Sequence, residues 1–320
     1  MKKYAFGVDI GGTTVKMGFF DAEGALLEKW ELKTDLTDNG ANILPDIAAS
    51  IKAKVAETGA TMEDVIGVGM GVPGPVNEDG VVLKCINLGW GVFNIEEEMS
   101  KLTGVPCKAG NDANVATLGE MYKGGGAGYD DLVMLTFGTG VGGGIIHDGK
   151  MISGVNGAAG EIGHMPMNPM ETEPCNCGNC GCLEQYASAT GLANVTKRIL
   201  AAFDVNTSLR YYEPLTAKEI FDAYKEGDPL AKSMVEDWGS MVGKACATIG
   251  IVVNPDVFVL GGGMSKAGQV MIDVVEKYYN QYVFHAARGT KFVLATLGND
   301  AGIYGGVKLA LDAAKDICTC

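Results

Sequence analysis

The sequence predicts an α/β protein of two related domains with mixed sheets, and three observations carry that expectation. A phrase of strand, glycine-rich turn, strand, polar turn and strand occurs twice, as YAFGVDIGGTTVKMGFFDAEGALLEKWEL (4–32) and DLVMLTFGTGVGGGIIHDGKMISG (131–154). Each copy is followed by helical periodicity, with apolar residues three and four apart, in NILPDIAASIKAKVAETG (42–59) and DPLAKSMVEDWGSMVGKACATIGIVVN (228–254). Short, nearly continuous apolar runs then follow, VIGVGMGV (65–72) and DVFVLGGG (256–263), and strands apolar on both faces belong to sheets covered on both sides.

Within each copy the turns mark the strands. Gly11 and Gly12 separate the first two strands and Asp21 to Gly24 the next two; in the second copy His147, Asp148 and Gly149 form the corresponding hairpin signal. We place the switch between domains at Asn111 and Asp112. A smaller domain of 1–111 plus 303–320 is expected, the last helix returning to it, and a larger one of 112–302 carries the loop 160–185. A length of 320 residues suits two domains meeting at a cleft.

Charge and cysteine usage exclude several function classes. A net charge of −14, with no Lys/Arg run, gives no footprint for nucleic acid or an anionic membrane. The amino terminus MKKYAFGVDIGG is broken by Gly7 and Asp9 too early for a secretory signal, and no later run is long enough to span a bilayer. Outside one cluster, Cys85, Cys107, Cys246, Cys318 and Cys320 are scattered and odd in number, which fits a reducing cytoplasm better than a disulfide framework. The tail ICTC matches no prenylation box, and its two thiols are expected to be exposed. Small molecules are the expected partners.

Glycine makes up 47 of 320 residues, about double the usual share, and its grouping after strands is what matters. In DIGGTTVK, Gly11 and Gly12 open backbone N–H groups to phosphate oxygens, Thr13 and Thr14 add hydroxyls, Lys16 follows, and Asp9 can hold Mg²⁺ through water. A tight hairpin is the plain alternative. FGTGVGGG repeats the arrangement with Gly138, Thr139 and Gly140, and a pair of such loops is stronger evidence than either member. The third loop, LGGGMSKAG, offers Gly261, Gly262 and Gly263 as a surface for adenine or ribose; otherwise it is a strand-to-helix turn. None of the three matches the GxxxxGKS loop or a GxGxxG at the first strand-to-helix turn.

Asn111 and Asp112 precede a helical segment, where one caps the helix and the other projects a carboxylate able to take a proton from a hydroxyl. The densest chemistry lies in GEIGHMPMNPMETEPCNCGNCGCLEQ (160–185), where His164 is followed by Cys175, Cys177, Cys180 and Cys182. An imidazole with three thiolates suits tetrahedral zinc, and Gly178 and Gly181 let the backbone fold tightly around one ion. Glu161 and Glu184 flank the ligands, so the same ion would fix both carboxylates. The cluster lacks the basic surroundings of a nucleic-acid-binding zinc module.

DIGGTTVK, GVPGPV (71–76), NDAN, FGTGVGGG, GEIGH and CNCGNCGCLEQ, in this order over most of the chain, resemble the ROK family of sugar kinases, most of all its bacterial ATP-dependent glucokinases. The resemblance implies the actin-like, hexokinase-like ATPase fold, MgATP and glucose as substrates, and a homodimer. It makes Asp112 the base for the 6-hydroxyl of a hexose. Asn111, Glu161, His164 and Glu184 would bind the other hydroxyls, with Gly74 and Asn87 lining the pocket. His164, Cys175, Cys177 and Cys182 would hold a structural zinc; Cys180 falls where the family's CxCGxxGC pattern requires no cysteine and is the alternative ligand, giving four thiolates. A filled four-ligand site leaves zinc no open position for the reacting phosphate.

Two rivals are set beside this expectation: a kinase of another hexose (mannose, fructose or N-acetylmannosamine), and a non-catalytic sugar sensor like the family's repressors, which carry a DNA-binding domain ahead of this fold. The first strand beginning at Tyr4 leaves no room for such a domain. His147 and His285 are given no catalytic role. Trp30, Trp90 and Trp238 are expected in the core or pocket walls, with Trp90 near Asn87.

Overall fold

The computed structural model of the chain describes residues 2–318. Cys320, and the side chain of Cys318, lie outside the described residues, and with them the expectation that these thiols are exposed. The chain opens with β1 (Tyr4–Ile10), β2 (Thr14–Asp21), β3 (Leu26–Lys33), α1 (Ile43–Glu57) and β4 (Val65–Val72). Then come β5 (Val81–Val82), β6 (Phe93–Asn94), α2 (Ile95–Thr103), β7 (Cys107–Asn111) and α3 (Asp112–Lys123). The second copy supplies β8 (Leu132–Phe137), β9 (Val141–His147) and β10 (Lys150–Met151), followed by α4 (Glu184–Ala187), α5 (Ala189–Ala202), α6 (Ala217–Glu226) and α7 (Pro229–Val253). β11 (Val257–Gly261), α8 (Gln269–Tyr282), β12 (Lys291–Leu294) and α9 (Ala301–Cys318) complete it.

The duplication read from the sequence is present in the sheets. Their strand orders, β3-β2-β1-β4-β7 and β10-β9-β8-β11-β12, are the same topology written twice. In the first, β1 to β3 form antiparallel hairpins while β4 and β7 run parallel to β1; in the second, β11 runs parallel to β8 and β12. The third strand of the second copy has only two residues, and the chain turns further on at Gly154, whose φ is +73°. The first sheet is covered on both faces, as its apolar strands require. Phe6, Val8, Met70 and Val72 pack with Ile47 and Ile51 of α1 and Met99 of α2, and Ala5 and Phe20 pack with Ile303 and Val307 of α9.

The chain forms two compact units. One comprises 1–128, 144–160 and 297–320, the other 129–143 and 161–296. The division therefore does not fall at Asn111. α3 counts with the first unit because it packs against α9 through small residues: a Cβ on Gly119 would lie 2.1 Å from the Ala301 carbonyl oxygen, and one on Gly305 would lie 1.7 Å from that of Val115. α7 starts where its sequence demands, with Pro229 in its first turn and the Asp228 carboxylate accepting the N–H groups of Leu230 and Ala231 at 2.9 and 3.0 Å, and it stops at Asn254 in the left-handed region. Among the described residues no helix is long and apolar enough to cross a membrane. Cys85, Cys107, Cys175, Cys177, Cys180, Cys182 and Cys246 are all free thiols.

Candidate active site

In the first unit the junction of β7 and α3 presents Asn111 and Asp112. Asn111 is the cap: its Oδ1 accepts the N–H groups of Ala113 and Asn114 at 3.0 and 3.2 Å, and its Nδ2 donates to the Gly74 carbonyl at 3.3 Å. That bond ties the 71–76 turn to the start of the helix and brings Gly74 to Asn111. Asp112, half-buried, accepts the Ala113 N–H at 2.8 Å. Asn87 is exposed on the turn 86–88, and Trp90 is a core residue whose indole N–H donates to the Gly40 carbonyl at 3.2 Å.

In the DIGGTTVK hairpin, Gly11 donates to the Thr14 carbonyl at 3.0 Å and Thr14 is already inside β2, so Gly12 and Thr13 form the exposed tip. Asp9 and Lys16 face each other across β1 and β2, with Lys16 Nζ 3.2 Å from the carboxylate. The three glycine loops share one property. A Cβ added to Gly12, Gly138 or Gly263 would meet nothing within 4 Å, and none of the three has a positive φ. Their neighbours are different: a Cβ on Gly11 would lie 2.8 Å from the Thr14 carbonyl, one on Gly140 would lie 2.6 Å from the Glu184 carboxylate, and Gly262, with φ +79°, lies against the Phe137 backbone. Gly261, at the end of β11, faces the Met134 side chain. Each loop thus keeps one glycine that the fold does not demand, leaving its backbone open to close approach. Gly263 and Met264 also line a cavity of about 300 Å³ with Ala189, Ala217 and Phe221, apolar walls suited to a flat base.

The second unit gathers the metal-ligand candidates. The ligand atoms of His164, Cys175, Cys177 and Cys182 all lie within 4.8 Å of one another, with Cys177 and Cys182 sulfurs 3.6 Å apart and His164 Nδ1 3.8 Å from the Cys175 sulfur. A tetrahedron with Zn–S bonds of about 2.3 Å has edges of about 3.8 Å, so the donor set fits zinc. Cys180 is not among the four; it is exposed, with its sulfur 3.7 Å from the Thr172 carbonyl. Burial pushes the Cys175 thiol up to about 12 and raises Cys182 as well, whereas the Asn179 backbone N–H lowers Cys177. Buried thiols of this kind bind a dication by surrendering their protons to solvent. Gly181 is obligatory here: its φ is +78°, and a Cβ would fall 1.9 Å from the Asn168 carbonyl as the two arms of the loop meet.

Glu184 connects this cluster to the second glycine loop. One of its carboxylate oxygens is 2.9 Å from the Cys175 sulfur and 3.8 Å from His164 Nδ1; the other accepts the Val141 N–H at 3.4 Å. Glu161 lies on the other side of the imidazole, 3.9 Å from His164 Nε2. Thr139, Gly140, Cys175 and Glu184 line one polar hollow of about 260 Å³.

With this geometry in view, relatives are informative. The sequence profile of the ROK family matches residues 5–313. The chain belongs to the ROK family. It is 40% identical to a glucokinase of Halalkalibacterium halodurans, over 95% of this chain and 94% of the other, and 34% identical to a glucokinase of Thermotoga maritima, over 95% and 96%. Its fold is similar to that of a ROK glucokinase from Streptomyces griseus in complex with glucose and AMPPNP, with a TM-score of 0.73 at 32% identity, covering 97% of this chain and 99% of that one. The fold is thus the two-domain, actin-like and hexokinase-like ATPase fold of that family.

Sequence reasoning missed several residues of this ROK site. Phe221 and Met264 come together only through tertiary packing, and no local pattern marks them. Asn114, the second asparagine of NDAN, is 2% exposed and its Oδ1 has no partner, while its Nδ2 donates to the Ala159 carbonyl at 3.2 Å. Glu171 was legible only as one acidic residue among several. In the structure it accepts from the Tyr186 hydroxyl at 2.5 Å and pairs with Arg198 at 3.3 Å, and the Tyr186 hydroxyl first of all holds its carboxyl down at about 2, from an ordinary 4.5. A depressed carboxylate stabilises the fold above its unfolded pKa, and that stability is lost as pH falls through the folded one. Glu171→Gln should therefore melt below the parent at pH 7, with the gap closing as pH falls from about 4.5 towards 2. A gap that stays constant over that range in thermal scans would remove Glu171 as an ionised brace of the loop.

Proposed function

We propose that this ROK chain is a glucokinase, transferring the γ-phosphate of MgATP to the 6-hydroxyl of glucose to give glucose 6-phosphate and ADP. The observation that carries this reading is Glu184, whose one carboxylate touches both the glycine loop 137–144 and the His/Cys cluster, with Glu161 on the far side of the imidazole. Phosphoryl transfer needs little covalent help from protein and depends on position and charge. Asp112 takes the proton of the attacking hydroxyl. Asn111, Glu161, His164 and Glu184 serve the remaining hydroxyls, with Gly74 and Asn87 as further sugar-binding residues. Gly11, Gly12, Thr13, Thr14 and Lys16, with Gly138, Thr139 and Gly140, serve the phosphates, and the loop Gly261, Gly262 and Gly263, through the cavity that Gly263 lines, takes the adenine.

Asp9 would hold Mg²⁺ through water, and the ion would supply neutralising charge on the phosphate oxygens. His164, Cys175, Cys177 and Cys182 would hold a structural zinc, which would fix the backbone that carries Glu161 and Glu184. We place the enzyme in a reducing cytoplasm, consistent with its free thiols, as a homodimer. The test is ADP release across a panel of hexoses with ATP, with the position of the new phosphate read by NMR. Strong preference for glucose at its 6-hydroxyl is expected; preference for mannose, fructose or N-acetylmannosamine would keep the mechanism and change the substrate, and sugar binding without turnover would make the chain a sensor.

A further inference from the structure

Glu120 is a carboxylate with no exposed surface, on the same helix as Asp112 and eight residues after it, about 12 Å along the axis. A buried carboxylate is tolerated only among donors, and the donors Glu120 has gathered are specific. Its Oε2 accepts the Gly125 N–H at 2.8 Å and its Oε1 accepts the Leu297 N–H at 2.9 Å, while its own carbonyl accepts the N–H groups of Gly124 and Gly126, each at 3.0 Å. Gly124 must be glycine for this to happen, since a Cβ there would fall 1.9 Å from Oε2.

The positions of these donors in the chain are what make the arrangement informative. The polypeptide leaves the first unit after Gly128 and returns to it for the last time at Leu297. One side chain therefore fastens α3 to the segment by which the chain departs and to the segment by which it comes back, although 177 residues separate Glu120 from Leu297. Neither nucleotide nor sugar has any use for Glu120 in the roles assigned above.

We infer that Glu120 is a positioning residue for phosphoryl transfer: by holding both segments to α3 it sets the place of Asp112, at the other end of that helix, during turnover. This rests on the kinase reading. Two variants weaken the same fastening from opposite ends. Glu120→Gln keeps one acceptor oxygen and turns an amide N–H₂ towards the other N–H donor. Leu297→Pro removes that donor and leaves the carboxylate intact; the φ of Leu297, −79°, is one that proline adopts.

In each variant kcat for glucose is expected to fall about ten- to a hundredfold at a temperature well below melting, with KM changed less than about threefold, the split that marks lost transition-state positioning. The double variant should be less impaired than the product of the two single losses, because one bond is shared. Amide exchange at Leu297 and Gly125 should accelerate in Glu120→Gln. Folded variants with parental kcat, or a loss confined to KM, would overturn the inference. Should the parent protein phosphorylate no hexose, the kinase reading fails and with it the catalytic role; unchanged exchange at Leu297 and Gly125 would then also remove Glu120 as a fastening.

Discussion

Asp112→Asn is expected to lower kcat by at least about 10²-fold and up to about 10⁴-fold, the range general-base catalysis contributes, while glucose binding survives. The structure makes this substitution a clean one. Asn111, not Asp112, caps α3, through bonds of 3.0 and 3.2 Å to Ala113 and Asn114, so the helix start does not depend on the group being changed. The bond from the Ala113 N–H at 2.8 Å goes to Asp112 Oδ1, an oxygen that asparagine retains. What disappears is the capacity to accept a proton. The check is kcat from ADP release together with the glucose dissociation constant by calorimetry. A variant that turns over at close to the parental rate would take Asp112 out of the base role, and one that lost glucose binding as completely as turnover would make Asp112 a sugar ligand only.

Much of this architecture was legible because it is local. The duplicated strand phrase, α1 and α7 are each specified by their own periodicity and turn residues, and α1 lies at 43–57 within the helical stretch read as 42–59. The place where the chain divides was not legible. α3 joins the first unit through glycine-mediated contact with α9, whose residues lie far along the chain, and no pattern near Asn111 announces that partner. The same limit applies to the glycine loops. Composition shows that Gly261, Gly262 and Gly263 adjoin, but only coordinates show that Gly262 is demanded by its φ and by the Phe137 backbone while Gly263 faces open space. The cysteine cluster stands between these cases. Its spacing named five candidate ligands, whereas the turn at Gly181, which swings one thiol away from the others, was needed to separate Cys180 from Cys175, Cys177 and Cys182.

That separation makes the metal site testable one thiol at a time. Cys177→Ser is expected to lose zinc on dialysis and to raise the glucose KM about ten- to hundredfold, whereas Cys180→Ser should retain both zinc and KM. Both side chains are exposed, so neither substitution opens a cavity in the core and the two variants differ chiefly in ligand capacity. The magnitude follows from Glu184. Its carboxylate lies 2.9 Å from the Cys175 sulfur, so a loop released from the metal would displace an oxygen assigned above to the sugar. A hydrogen bond to a charged group contributes about 1.5–3 kcal/mol, which converts to the stated change in KM. Metal analysis beside steady-state kinetics decides the matter. Full sugar affinity in verified zinc-free protein would refute a structural metal that serves the sugar site, and zinc lost from Cys180→Ser but kept in Cys177→Ser would exchange the roles of the two thiols.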